Sequence, residues 1–275
     1  MARQILSEPP QAFLHTLSTA DGSATYTAPG NAHKIIAGVN YPVDVPYRND
    51  EIPESTVIEI NIRPHNGVTM VKERHVEGLV KRTLEPLVLG QESPRTMLQV
   101  TLQVVGVESD ESLPGGVKEG GQGESYLAIL ASAINASVLG CIDAGVQLRS
   151  IAGAALVGVG ADGQLFPHPN VGQRKMCTSL HVFAFTSDGK TILMESEGRF
   201  HMSEWTSASE AARRAVLGQT SVDKSTNVNN VNNANGDVSM FGSDTNPGNS
   251  AISVTQIMRK SLEERVIKDE RWRQD

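Results

Sequence analysis

Four basic residues of this chain have the spacing to hold phosphate. Arg63 ends an alternating apolar run, Lys72 and Arg74 open the segment after the Gly67-Val68 turn, and Arg95 begins the next β-patterned stretch. Phosphate contact calls for cations where the backbone turns, and arginine suits it because its planar fork meets two phosphate oxygens at once. A solvated helix face is the plainer reading of any single one, and Lys81 and Arg82 on the same segment fit that description. Lys72 and Arg74, beside the strand end and the turn, are the best placed.

The other motifs point away from catalysis. Gly158-Val159-Gly160-Ala161-Asp162-Gly163 has the GxGxxG spacing, but Gln164-Leu165-Phe166-Pro167 follows where a dinucleotide site needs a helix N-terminus. A β-turn is expected there. Gly115-Gly116 and Gly120-Gly121 lack the GK[ST] ending of a phosphate loop, and no GxSxG nucleophile turn occurs. Cys141 and Cys177 belong to no CxxC or Cys/His spacing and read as buried thiols, and the seven histidines form no HExxH. Asn135-Ala136-Ser137 matches a glycosylation pattern but lies inside an apolar helix. Most telling, Leu165 to Ser187 contains neither Asp nor Glu.

The elements that must position these residues follow from periodicity. Ala12–Leu17, Ala24–Thr27, Lys34–Pro42 and Val57–Arg63 read as short strands between Gly, Pro and Asn punctuation. A helix is expected over Val71–Val88, with Val76, Leu79, Val80, Leu84 and Leu87 on one side, then a strand at Met97–Val107. Residues 109–124 read as a flexible acidic, Gly-rich loop. The helix from Ser125 to Asp143 is apolar all round and small-residue rich, as suits a helix held between two layers. Strands at Ala154–Val159 and Gln164–Phe166 precede a hairpin of Ser179–Phe185 and Thr191–Glu195. A helix N-capped by Ser203 runs to Leu217. Residues 219–250, dominated by Asn, Ser, Thr, Asp and Gly, read as a disordered insertion, and Ile252–Trp272 resumes helical spacing. Residues 1–10 form a tail, 11–218 the domain, and 251–275 a helix that completes it. This is a mixed α/β (α+β) arrangement without the regular alternation of a doubly wound sheet.

Composition sets outer bounds. The 275 residues are 39% hydrophobic, enough for a core, and the formal charge of −7 argues against a free-standing nucleic-acid binder, so any such contact is local. No signal peptide or membrane span is expected, which puts the chain in the cytoplasm or nucleus.

Taken in order, the segments resemble the RNase PH family. The likeness rests on Asp21-Gly22-Ser23-Ala24, Gly38 with Pro42, Glu59-Ile60-Asn61-Ile62-Arg63-Pro64 with Gly67-Val68, and Pro94-Arg95. It continues through Ala133-Ile134-Asn135-Ala136, Asp143-Ala144-Gly145-Val146 and Pro167-His168-Pro169, covering about residues 12 to 218 and the final helix. It implies an RNase PH-like fold, similar to ribosomal protein S5 domain 2, in a family whose active members are phosphorolytic 3′→5′ exoribonucleases. Those members hold phosphate with backbone amides and an Arg ahead of the central helix, and a divalent metal with Asp residues of the second half. Here the first position falls on Ala128-Ile129-Leu130, and the acidic positions fall on His168 and near Gly172 and Arg174.

The resemblance therefore implies a non-catalytic subunit of the eukaryotic exosome ring, with no catalytic residue, metal or cofactor of its own. Its partners would be other RNase PH-like subunits in a ring of six, S1/KH-type cap subunits, a hydrolytic exoribonuclease and single-stranded RNA, with no membrane. Arg63, Lys72, Arg74 and Arg95 would be its RNA-binding residues, and nucleolus, nucleus and cytoplasm its locations in rRNA processing and RNA turnover. Hydrophobic edges such as Ser179–Phe185 would pair with neighbouring subunits. Two alternatives stand beside this: an active phosphorolytic exoribonuclease, which needs carboxylates and a phosphate Arg, and a free-standing RNA-binding protein, which needs an aromatic stacking platform.

Overall fold

In the computed structural model the described residues are 9–31, 33–47, 51–107, 109–110, 117–118, 125–218 and 253–273. Four strands open the chain: β1 (Gln11–Leu14), β2 (Gly22–Thr27), β3 (His33–Asp44) and β4 (Val57–Arg63). Helix α1 (Val71–Leu84) crosses over to β5 (Thr96–Val107), and together they form a five-stranded sheet in the order β1-β2-β3-β5-β4. Only the β4–β5 pair is parallel, as a helical crossover requires. The alternation of β4 lies as its sequence demands: Ile58, Ile60 and Ile62 are buried under α1, while Glu59 and Asn61 face outward.

The second half begins with α2 (Leu127–Asp143), followed by β8 (Ala152–Gly160), β9 (Leu165–Pro167), β10 (Cys177–Thr186) and β11 (Thr191–Gly198). These strands form an antiparallel sheet in the order β11-β10-β8-β9. Between the two halves, β6 (Ser109–Asp110) and β7 (Val117–Lys118) pair with each other, so the stretch expected to be a structureless loop contains a short ladder. Helix α2 lies between the sheets, touching β2 and β3 on one side and β8 and β10 on the other. Its Leu127, Leu130, Ile134, Val138 and Leu139 are fully buried, each stabilising the fold by roughly 1.5–3 kcal/mol. Close approach is enforced by Gly140, where an added Cβ would lie 2.8 Å from Val39 Cγ2 and 3.3 Å from Ala37 Cβ.

Helix α4 (Met202–Leu217) covers the outer face of the second sheet, making a separate core from Val157, Phe183, Phe185, Ala208, Ala212 and Val216. Helix α5 (Val254–Asp269) packs on β1, β8 and α4, and a 3₁₀ turn at Glu270–Arg273 continues it. Its start is capped by Ser253, whose hydroxyl accepts the Gln256 amide at 3.4 Å.

Several expectations need correction. The first strand stops at Leu14 because His15 takes a left-handed conformation, φ 54°. Helix α1 ends at Leu84, four residues early, where its last turn loosens before the Val88–Leu148 bridge. The N-cap of α4 is His201 rather than Ser203, its amide held by the Glu204 carboxylate at 2.8 Å. A short helix, α3 (Val171–Met176), fills the acid-free stretch; at six residues with an internal glycine it gives no readable periodicity. Ser179–Phe185 is not an edge: β10 is paired on both sides, and the hairpin puts β11 outside it. Cys141 is buried, as expected, but Cys177 is only half-buried where it opens β10. The expected insertion at 219–250 lies outside the described residues.

Candidate functional site

The cleft between the halves opens where α2 starts and where the chain leaves β9. It is small, about 30 Å³, on the scale of one water molecule, and its walls include Tyr26, His33, Ala128, Ser132, His168 and Arg174. Of the three α2 positions expected to match the family's phosphate-holding segment, Ala128 reaches the cleft, whereas Leu130, at the position expected for the arginine, is fully buried in the main core. A side chain at 130 points into apolar packing, so no cation placed there could meet an anion in the cleft.

His168 is set by an unusual backbone. It has φ 53°, and its amide donates to Leu156 O at 2.9 Å, turning the ring into the cleft. Burial pushes its imidazole down to about 4, so at neutral pH the ring is uncharged. Arg174 on α3 donates from Nε to Pro169 O at 3.1 Å and adds a guanidinium to the same wall. Gly172 lines nothing: a Cβ there would meet no atom within 4 Å. Burial also pushes the Tyr26 phenol up, partly offset by its hydrogen bond with the Asn135 side chain.

Asn135 is the structural anchor of this region. Its Oδ1 accepts the Ala154 amide at 2.7 Å and its Nδ2 donates to Ala154 O at 3.0 Å. Strand β9 pairs only with residues 157–159 of β8, so Asn135 satisfies the part of that edge which β9 does not reach. The residue that reads as a glycosylation acceptor is thus buried and fully used.

At the entrance, the positive end of α2 already faces carboxylates of the protein itself. Ser125 Oγ donates to Glu197 Oε2 at 2.6 Å, and burial together with Glu195 and Glu197 raises the Tyr126 phenol. Tyr126 also meets His75 edge to face at 4.9 Å. Sequence reasoning missed Glu195, Glu197, Tyr26 and His33, because nothing in their local spacing marks them.

A divalent ion of the kind RNase PH members use prefers carboxylate oxygens. This cleft offers imidazole, hydroxyl, amide and guanidinium groups, and among the described residues no three His, Cys, Asp or Glu side chains are placed to hold a metal ion. The residues do not fit such an ion.

The four basic candidates fall into two places. Arg63 ends β4, and Lys72 and Arg74 begin α1 a short turn later, so these three share one rim. Arg74 is exposed and pairs with Glu77 at 3.0 Å, while Lys72 is half-buried. Arg95 belongs elsewhere. Arg63 lies opposite Gln103, which puts Arg95 eight residues back along the parallel pair, about 26 Å away, beside Glu51 at 3.4 Å.

Comparison with known proteins agrees with this architecture. Residues 10–147 match the 3′ exoribonuclease family, domain 1 (RNase_PH). The chain is 29% identical over 198 residues to exosome complex component RRP46 of Saccharomyces cerevisiae, covering 70% of this chain and 82% of that protein. It is 30% identical over 135 residues to exosome complex component rrp46 of Schizosaccharomyces pombe, covering 49% of this chain and 51% of that one, about half its length. The crystal structure of rice (Oryza sativa) Rrp46 superposes with a TM-score of 0.62 at 26% identity, over 76% of this chain and 88% of that one. The chain belongs to the RNase PH family of 3′ exoribonucleases.

Proposed function

We propose that this chain is a non-catalytic ring subunit of an RNA exosome, built into a hexamer of RNase PH-like subunits that conducts single-stranded RNA toward a separate hydrolytic exoribonuclease. The observation that carries the reading is the chemistry of the cleft: Ala128 at the start of α2, His168 and Arg174 on the opposite wall, and no carboxylate among the lining residues. Phosphorolysis is charge neutralisation above all, and removing one preorganised donor typically costs on the order of 3–4 kcal/mol of transition-state stabilisation. Here the helix that would receive phosphate meets Glu195 and Glu197 instead, which repel it. The names of the relatives, exosome components in two yeasts, support the assembly.

The edges support it too. Strand β11 presents an eight-residue edge with Met194 about half exposed, and an open edge of that length calls for a neighbour. Arg63, Lys72 and Arg74 form one RNA-contacting rim in this reading and Arg95 a second, separate contact; S1/KH-type cap subunits would complete the particle in nucleus, nucleolus and cytoplasm.

The test is direct. The purified chain, alone and in the reconstituted ring, is incubated with oligo(A), inorganic phosphate and magnesium. No nucleoside diphosphate is expected from either, and the chain is expected to co-purify in equal amounts with RNase PH-like neighbours. Diphosphate release that disappears in a His168→Ala variant would overturn the inert assignment.

A further inference from the structure

Helix α5 divides into two unequal parts. Val254, Ile257, Met258 and Ser261 are buried against the body, but every residue from Val266 to Arg273 is exposed. The last turns of the helix therefore stand clear of the fold. At their end Trp272 is 72% exposed, with the Arg273 guanidinium 5.4 Å from its ring centre.

Among the described residues, the acids nearest Trp272 already have partners. Asp269 is taken by Arg265 at 2.7 Å and Glu270 by Arg273 at 3.0 Å. Lys268 and Arg271 have no acidic partner among the described residues. Lys268 lies in the last α-helical turn and Arg271 and Trp272 in the 3₁₀ turn that continues it, and all three are exposed, so two cations share this short exposed segment with the indole.

We infer that Lys268, Arg271 and Trp272 form a binding site for single-stranded RNA, a nucleobase stacking on the indole and adjacent phosphates meeting the two cations. Stacking needs only a π-face, and backbone phosphates need only cations within one nucleotide's reach, so the site reads no sequence. A protein groove fits these residues less well, because closing over Trp272 would desolvate Lys268 and Arg271 without supplying counter-charges. The site adds a point of RNA contact distinct from the Arg63, Lys72 and Arg74 rim, and it rests on the reading that this chain handles RNA.

The chain contains two tryptophans, which makes the test simple. Trp205 is half-buried, its ring 5.5 Å from that of Phe183, so the Trp205→Phe variant of the full chain reports Trp272 alone. Titrating that variant with a short oligo(U) at low salt is expected to quench its emission. Trp272→Ala in the wild-type chain should weaken binding, read by anisotropy of the labelled oligonucleotide, about tenfold. Trp272→Phe should restore most of that affinity, and Lys268→Ala with Arg271→Ala should flatten the salt dependence. Three results would overturn the inference. One is RNA binding that ignores Trp272→Ala yet is lost on Arg63, Lys72 and Arg74 charge reversal, which leaves the RNA-handling reading intact. Another is no RNA binding by the chain, which removes both. The last is Trp272 emission that responds to ring neighbours but not to RNA, which assigns the helix end to a protein partner.

Discussion

Asp143 Oδ1 lies 3.6 Å from Arg265 Nε, joining the end of α2 to α5 across a span of sequence that includes the whole second sheet. The same carboxylate accepts the Ser23 amide at 2.8 Å and sits 3.6 Å from His15 Nδ1, with only 4% of its side chain exposed. An acid at a helix C-terminus opposes the helix dipole, so Asp143 is held by these donors rather than by α2. Asp143→Ala leaves a buried amide, the Arg265 guanidinium and the His15 ring without their shared partner and is expected to cost about 2–3 kcal/mol, read by denaturant unfolding. Hydrogen exchange should quicken in α5 as well as in the turn before Ser23. If only the Ser23 turn responds, the Asp143–Arg265 pair does not hold the helix.

Stability should fall in mild acid through His168. Its folded-state value of about 4 is below the unfolded value near 6.5, so the unfolded chain takes up the proton first as pH falls. The His168 contribution is therefore intact above about pH 6.5 and is lost progressively down to about pH 4, amounting to about 2 kcal/mol between pH 7 and pH 5. His181, lowered by burial against the opposing pull of Glu204, adds in the same direction. Unfolding measured at the two pH values should show a smaller drop in His168→Gln than in the wild-type chain. An equal drop in both would show that other groups carry the acid sensitivity.

Asn135 makes a sharper stability prediction. Asn135→Leu leaves the Ala154 amide and carbonyl unpaired in a buried setting, at about 1–3 kcal/mol for each group. The expected cost is about 2–6 kcal/mol, a large share of the roughly 5–15 kcal/mol that holds a typical domain folded. Asn135→Asp restores one acceptor and should recover part of it. A variant within about 0.5 kcal/mol of wild type would mean that the β8 edge finds water or another partner.

Gly140 tests the close contact between α2 and the first sheet. Alanine at this position gains about 1 kcal/mol of helix propensity but drives its Cβ to 2.8 Å from Val39 Cγ2. Overpacking should win, with a net loss of about 1–2 kcal/mol. Val39→Ala in the same chain should relieve it, giving a double variant more stable than the sum of the two single changes predicts. Additive behaviour would place the strain elsewhere.

These cases show where the sequence is legible. The alternation through Ile58, Ile60 and Ile62 and the all-apolar surface of α2 announce their surroundings, because burial on one face or on all faces is written in every position of the element. The Gly158 to Gly163 turn is readable for another reason, the freedom of glycine to take a positive φ: Gly163, at φ 71°, closes the β8–β9 hairpin. What cannot be read locally is pairing. Ser125 and Glu197 stand 72 residues apart, and nothing near either residue shows that the carboxylate will cover the start of α2. Strand order is equally silent, so β10 reads as an edge when β11 takes that place. The four basic candidates look like one group in sequence, and the parallel pairing of β4 with β5 separates Arg95 from the others.

That separation gives the proposed RNA-contacting rim its own signature. Each phosphate contact on a single strand contributes about 0.7 to the slope of log affinity against log salt. Replacing Arg63, Lys72 and Arg74 together by alanine in the full chain should therefore lower the slope by about 2, if all three meet one strand. Arg95→Ala should leave the slope of short oligonucleotides unchanged, because a strand seated on the rim must extend about 26 Å to reach it, and only longer strands should report the second contact. Arg74 is held by Glu77, so Glu77→Gln should free it and raise affinity modestly at low salt. A slope that falls equally for Arg95→Ala on a short oligonucleotide would show that RNA runs along the sheet rather than across the rim.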